Sequence, residues 1–416
     1  MKRPVLILGW IPRIILPIAR SLHRQGVSVD VASFPGAPRI WSRAICQHRS
    51  IAEPHANGAE FVTQLRALIT DRGHEVLIPT DDCMLTAIVE HYHELADLLH
   101  IACPPPEITR LVLDKTATLR IAQDCGLQVP KTEMVSNSSQ LHNLIGSFSF
   151  PWVLKPAQKE TRMEEVKSCS LTTADEVRAT FPAGRDFAPP MLVQEYCSGS
   201  GVGVEILLHE GQCIAAFQHR RLKELPYTGG VSVSAVAELV DEALLKSSLT
   251  LLRTLRWDGV AMVEYKVDSA GRAVLMEVNG RYWGTIALPI SAGLDFHLYH
   301  WQLIHGQRAG APKSYAAGIT WRWTVGYLDR LYILCAKARH SSIARQALGE
   351  SLGDVFADFR LSVRDATFEL SDPVASLIPF LRALGYFASH TAARAWRRPT
   401  LLRQSRGKSG LAPSKT

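Results

Sequence analysis

Through the first hundred residues, short apolar runs alternate with stretches of helical spacing. Val5-Leu6-Ile7-Leu8-Gly9 reads as a short buried strand, residues 14–25 as a helix stopped by Gly26, and Val27–Ala32 as the next strand. A helix over 60–72, a strand over 75–79 ending in Pro79-Thr80-Asp81-Asp82, and a helix over 83–99 continue the alternation. Strands alternating with helices predict a parallel, doubly wound sheet. The segment after the first strand, Gly9-Trp10-Ile11-Pro12-Arg13, lacks the glycine-rich dinucleotide fingerprint, so NAD is not expected there.

Pro104-Pro105-Pro106 breaks the pattern, since a proline run neither continues a helix nor pairs as a central strand. A helix over 114–125 follows, with Asp114 as its N-cap and Gly126 as its stop. From 150 to about 280 strands dominate: 151–155, 191–196, 202–208, 212–218, 259–267 and 273–278, with one helix over 238–255. A helix over 285–304 closes this stretch, and 313–390 reads as mixed.

Charge changes the picture only at the end of the chain. The 416 residues carry 46 Lys+Arg against 39 Asp+Glu, a formal charge of +7. Residues 391–416 hold Arg394, Arg397, Arg398, Arg403, Arg406, Lys408 and Lys415 with no acid, which leaves 39 against 39 in residues 1–390. A neutral body argues against a nucleic-acid-binding face. The tail is expected to be disordered, with weak membrane-surface attraction of about 1 kcal/mol per charge near anionic lipid. A hydrophobic content of 47% with 20% charged residues excludes global disorder. The eight cysteines form no CxxC pair, as expected of a reduced cytoplasmic protein. Pro12, Arg13 and Pro17 interrupt the apolar N-terminus, so no signal peptide is expected, and no run reaches the ~20 residues of a spanning helix.

The strongest chemical signal is 259–284, GVAMVEYKVDSAGRAVLMEVNGRYWG. If Ala270-Gly271 is a two-residue turn, paired residues sum to 541 and Glu264 faces Glu277, with Asn279 on the same face two residues on. Opposed carboxylates repel unless a cation lies between them. Two carboxylates and an amide oxygen are hard ligands suited to Mg²⁺, which also takes nucleotide phosphate oxygens. Arg281 then stands beside the metal as a phosphate clamp. Lys155 ends the apolar strand of Phe150-Pro-Trp-Val-Leu-Lys-Pro, where a buried ammonium needs a partner such as phosphate. Leu192-Val-Gln-Glu-Tyr-Cys197 runs into Ser-Gly-Ser-Gly, a strand exit whose backbone could read an adenine edge. His219, Arg220, Arg221, Lys223 and Glu224 precede Thr228-Gly229-Gly230 and suggest a substrate and γ-phosphate pocket, with Arg220 favoured over Arg221.

Together, in this order, these segments resemble the ATP-grasp superfamily over roughly residues 1–310. Within it, the chain resembles the carbamoyl-phosphate-synthase-like group of carboxylate–amine ligases. The resemblance implies an α/β and α+β architecture. A Rossmann-like pre-ATP-grasp domain over 1–106 would precede a two-subdomain ATP-grasp fold (107–190 and 191–312), an accessory region over 313–390 and the basic tail 391–416. Lys115 and Lys155 would hold ATP phosphates. Gln194, Glu195, Tyr196 and Cys197 would form the adenine-reading hinge, with Glu195 reaching towards the ribose. Glu264, Glu277 and Asn279 would bind Mg²⁺, usually two ions, with Mn²⁺ as the substitute. Arg281 and Arg220 would act on the transferred phosphoryl group and the substrate. The expected reaction joins a small-molecule carboxylate to an amine through an acyl phosphate, in a cytoplasmic enzyme that could form a homodimer. The alternatives are a nucleotide-binding protein without ligase activity and a bicarbonate-activating carboxylase-type enzyme. The loop after Lys155 departs from the family's glycine-rich pattern, since 156–183 contain no glycine.

Overall fold

A computed structural model of the chain describes residues 3–157, 169–339, 341–378, 381–382 and 385. The tail at 391–416 and most of the loop after Lys155 lie outside the described residues.

Three sheets follow one another along the chain. The first contains β1 (Val5–Leu8), β2 (Val29–Ser33), β3 (Gln47–Ser50), β4 (Val76–Pro79) and β5 (His100–Ile101), all parallel, in the order β3-β2-β1-β4-β5. Its strand order reverses between β1 and β4, and ligands of open α/β sheets bind at the carboxyl ends of the strands beside such a reversal. The second sheet is antiparallel: β6 (Thr132–Asn137), β7 (Trp152–Pro156), β8 (Cys169–Leu171) and β9 (Asp186–Glu195), in the order β6-β9-β7-β8. The third contains β10 (Ser200–His209), β11 (Gln212–Leu225), β12 (Val231–Glu238), β13 (Gly259–Val267), β14 (Ala273–Asn279), β15 (Thr320–Arg322) and β16 (Arg364–Asp365). Its order is β14-β13-β10-β11-β12-β15-β16, antiparallel except for the final pair. The fold is therefore α/β at the N-terminus and α+β beyond it.

The third sheet is covered on both faces, and strand alternation decides what each face meets. On β13, Ala261, Val263 and Tyr265 pack into a core with Leu119 and Ala122 of the helix Lys115–Asp124 and Leu251 and Leu252 of the helix Glu242–Thr254. Val260 and Met262 point the other way, into a core shared with the first sheet and with Trp283 and Trp321. Glu264 and Lys266 continue that second face where apolar packing ends.

Several expected elements differ. The helix expected over 83–99 is two helices, Asp82–Glu90 and Tyr92–Ala96. The one over 285–304 is also two, Ala287–Ala292 and Phe296–Ile304, separated by Gly293 in the left-handed region and restarted by Asp295, which accepts from the Leu298 N–H. The helix over 238–255 begins only at Glu242, because β12 occupies the chain through Glu238. Pro106, the last of the three prolines, opens the helix Pro106–Leu113, since a first-turn proline forfeits no helical hydrogen bond. Beyond residue 312 the chain adds β15 and β16 to the third sheet.

Candidate functional site

Glu264 on β13 and Glu277 on β14 face each other across the ladder, and Met262 faces Asn279. The turn is not the expected two-residue one. Val267 pairs with Ala273 and the Asp268 N–H donates to the Arg272 carbonyl, so three residues, Ser269–Gly271, form the loop tip, with Gly271 at φ +78°. The Asp268 carboxylate accepts from the N–H groups of Ala270 and Arg272. A bulge then restores the register: Tyr265 pairs with Leu275 but Glu264 with Glu277, which leaves Met276 as the extra residue.

The Asn279 amide Nδ2 donates to Glu264 Oε1 at 2.9 Å and to Glu277 Oε1 at 3.2 Å. One donor group thus bridges two carboxylates that would otherwise repel, which is the role a cation fits. The donor set is oxygen-rich and suits Mg²⁺. Among the described residues no cluster of three or more His, Cys, Asp or Glu side chains gathers for a metal, so phosphate and water oxygens would have to complete the shell.

The remaining candidates lie on and beside the second sheet. On β7, Trp152 and Leu154 are buried on one face while Val153 and Lys155 point the other way. The Asp114 carboxylate accepts from the Thr116 and Ala117 N–H groups and so caps the helix that starts at Lys115. The Lys115 Nζ donates to the Pro156 carbonyl at 3.0 Å, which brings it to the end of the Lys155 strand. Burial and Glu195 push the Cys197 thiol up, while Lys155 and Lys266 pull it down. Cys197 therefore lies within the electrostatic reach of a lysine from each of the two sheets. Gln194 is buried, donates to Thr132 Oγ1 at 2.8 Å, and keeps a buried Oε1 without a hydrogen-bond partner.

Residues 187–326 match the family model described as ATP-grasp in the biosynthetic pathway with Ter operon. The fold is shared with the L-amino acid ligase of Bacillus licheniformis, at 16% identity over 72% of this chain and 73% of that one, with a TM-score of 0.57. It is also shared with the Staphylococcus aureus N5-carboxyaminoimidazole synthetase in complex with ADP, at 12% identity, 77% and 81% coverage and a TM-score of 0.60. The chain shares the fold of these structures, and the family model matches about a third of it. A third structure of the same fold is the biotin carboxylase domain dimer of Hydrogenobacter thermophilus 2-oxoglutarate carboxylase with MgADP and bicarbonate. It is 13% identical, with 76% and 73% coverage and a TM-score of 0.58. In sequence, pyruvate carboxylase 1 of Caenorhabditis elegans is 25% identical over 193 residues, 43% of this chain but only 16% of that protein's length. The match thus spans a small part of the curated relatives.

Within this fold, two residues expected at the site stand elsewhere. Glu195 points away from Lys155: Oε1 accepts from the Ser149 N–H at 2.8 Å with Lys131 Nζ at 3.6 Å, on the opposite side of the sheet. The N–H groups of Glu195 and Tyr196 are bonded to the Lys131 and Pro151 carbonyls, which removes two amide donors from any adenine contact. Arg220 is also displaced. It sits on the helix-covered face of β11 and pairs with Glu238 at 2.6 Å. Arg221, one residue on, points to the carboxylate face and reaches Glu264 Oε2 at 2.5 Å and Glu224 Oε1 at 3.2 Å.

Arg281 lies where the hairpin meets the first sheet. Its guanidinium makes a bidentate pair with Asp82, Nε to Oδ1 at 3.0 Å and NH2 to Oδ2 at 2.9 Å. Burial alone would lower its pKa, but Asp82, Asp81 and Glu277 outweigh that and hold it above its ordinary value. Asp81 and Asp82 come from the carboxyl end of β4, beside the strand-order reversal. Sequence reasoning passed over these two acids and Arg13 after β1; their signal was position, at the exits of the two central strands.

The C-terminal region also reaches the site. Lys223, beyond Arg221 on β11, pairs with Asp354 at 3.0 Å and Asp358 at 2.7 Å, and Arg330 Nε donates to the Glu224 carbonyl at 3.0 Å. Among the described residues no helix is long and apolar enough to cross a membrane.

Proposed function

We propose that the protein is an ATP-dependent, ADP-forming ligase that joins a carboxylate to an amine through an acyl phosphate. The observation that carries this reading is the Glu264–Glu277 pair bridged by Asn279, with Arg281 at the hairpin exit.

A carboxylate does not accept an amine at neutral pH, because oxide is a poor leaving group. In the proposed reaction a carboxylate oxygen attacks the γ-phosphorus and ADP leaves. The amine then attacks the acyl carbon, inorganic phosphate leaves with the C–O bonding electrons, and the amine gives up a proton. Such chemistry needs positioning and charge neutralisation more than a side-chain nucleophile. Lys115 and Lys155 would hold the phosphates. Arg281, fixed by Asp82, would offset charge on the transferring phosphoryl group. Glu264, Glu277 and Asn279 would hold Mg²⁺, as two ions or with Mn²⁺ as substitute, and the metal would supply further charge neutralisation. None of the eight cysteines forms a disulfide, which supports a cytoplasmic enzyme. A homodimer is part of the proposal, by analogy with the biotin carboxylase domain.

Glu277→Ala tests the reading. ADP formation should fall at least 100-fold while the far-UV circular dichroism stays unchanged; turnover like that of the unaltered enzyme would refute the metal assignment. The pyruvate carboxylase match favours a second reading, activation of bicarbonate. ADP release that requires bicarbonate and no amine would select it.

A further inference from the structure

Among the described residues, Arg281 and Arg221 each hold an acid, but Arg13 pairs with none. Arg13 lies just beyond the carboxyl end of β1, beside the reversal of strand order. Its Nε is buried without a hydrogen-bond partner, and NH1 makes one long bond of 3.4 Å to the Ser232 carbonyl. The Trp323 ring lies 4.0 Å from the guanidinium carbon. A Cβ added at Gly284 would stand 3.1 Å from Cζ and Nε and 3.2 Å from NH2. Three nearly equal distances put that position over the guanidinium face, not at its edge. Backbone and indole therefore pack close to the group, and its in-plane N–H donors are the part available to a ligand.

Burial lowers the Arg13 pKa to about 10, and repulsion from Arg281 and Arg221 adds to the effect. A partly buried cation, repelled by two others and paired with no acid, destabilises the ligand-free protein. Its retention beside the hairpin calls for an anionic ligand. We propose that Arg13 is a specificity-determining residue that binds a carboxylate of the small-molecule substrate, with Trp323 and Gly284 positioning its guanidinium. A planar guanidinium matches a carboxylate's two oxygens, which a lysine cannot do. The inference rests on the ligase reading for the reaction, but not for the charge balance at Arg13.

The test uses the full chain and thermal unfolding, with and without MgADP. The probes are the twenty L-amino acids and the C2–C6 dicarboxylates, each compared with its carboxamide. Arg13→Met keeps an apolar stem against Trp323. It should raise the Tm of the ligand-free protein by about 2 °C or more. In the unaltered protein at least one carboxylate should raise Tm where its amide does not; Arg13→Met should lose that shift and Arg13→Lys should keep part of it. Gly284→Ala, which displaces the guanidinium without removing it, should lose the shift as well. A lower ligand-free Tm in Arg13→Met with the carboxylate shift intact would overturn the proposal, as would the absence of any carboxylate that outperforms its amide. If MgADP stabilises every variant, the nucleotide reading stands whatever happens at Arg13. If MgADP stabilises none, that reading fails separately.

Discussion

Arg221 reaches Glu264 across an intervening strand. β10 lies between β11 and β13, and its Gly201 pairs with Lys266 on the β13 side. A Cβ at Gly201 would stand 2.8 Å from Arg221 Cδ, so the arginine stem crosses the sheet over that glycine. Arg221→Ala should therefore reduce ADP formation by 10-fold or more on the order expected for loss of an electrostatic stabiliser. Arg220→Ala, on the opposite face, should change it less than about twofold, since a half-exposed ion pair contributes little. Steady-state ADP release decides the matter; equal losses in both variants would break the assignment of faces.

One row along the same face, Gly203 underlies His219. A Cβ there would meet His219 Cε1 at 2.4 Å and Met262 Sδ at 3.2 Å. His219 is buried and its Nδ1 lies 2.5 Å from the buried Glu205 carboxylate, so the ring cannot swing aside. Gly203→Ala should cost about 1–3 kcal/mol of stability through overpacking. Gly201→Ala should cost much less, because Arg221 can bend, but should lower activity. Urea unfolding of the two variants, with activity alongside, separates a structural glycine from one that makes way for a site residue.

The hairpin was legible because its strands alternate cleanly and bring Glu264 and Glu277 to the same register. That register held although the turn differs, since a three-residue loop and the Met276 bulge compensate each other. Arg221 was less legible. Choosing between Arg220 and Arg221 requires the face of β11, and the available signal was parity: Arg221 stands four residues from the core residue Phe217, on the same side. Arg13, Asp81 and Asp82 carry no motif. They matter through the position of β1 and β4 at the centre of the parallel sheet, and strand order is a tertiary property. The split within 285–304 has local causes that a 3.6-residue period masks, a left-handed Gly293 and the capping Asp295.

Asp81 makes stability depend on pH. Burial raises its pKa from 3.8 to about 6, with Asp82 adding to the rise and the Met84 N–H and Arg281 opposing it. Between those values the folded protein holds a proton that the unfolded chain has released. Stability therefore falls as pH rises through that window, by up to about 3 kcal/mol at pH 7. Asp81→Asn keeps an N-cap acceptor for Met84 and removes the charge. It should be more stable than the unaltered protein at pH 7.5 and similar to it at pH 4. Urea midpoints measured from pH 4 to 8 check this; parallel curves for the two proteins would contradict the buried-carboxyl account.

The basic tail offers the last test. Residues 391–416 carry all seven excess positive charges, and everything assigned to the site lies before them. The acids paired with Arg221 and Arg281 are Glu224, Glu264 and Asp82, all before residue 391. Truncation after residue 390 should leave kcat/KM for ADP formation within about twofold, the range of a surface change away from the site. Any salt-sensitive adsorption to anionic vesicles should be lost with the tail, because the remaining 39 positive and 39 negative residues balance. Co-sedimentation at low and high salt, run beside the activity assay, reads both outcomes. A truncated enzyme with an intact fold but no turnover would place a catalytic or closing element within the last 26 residues.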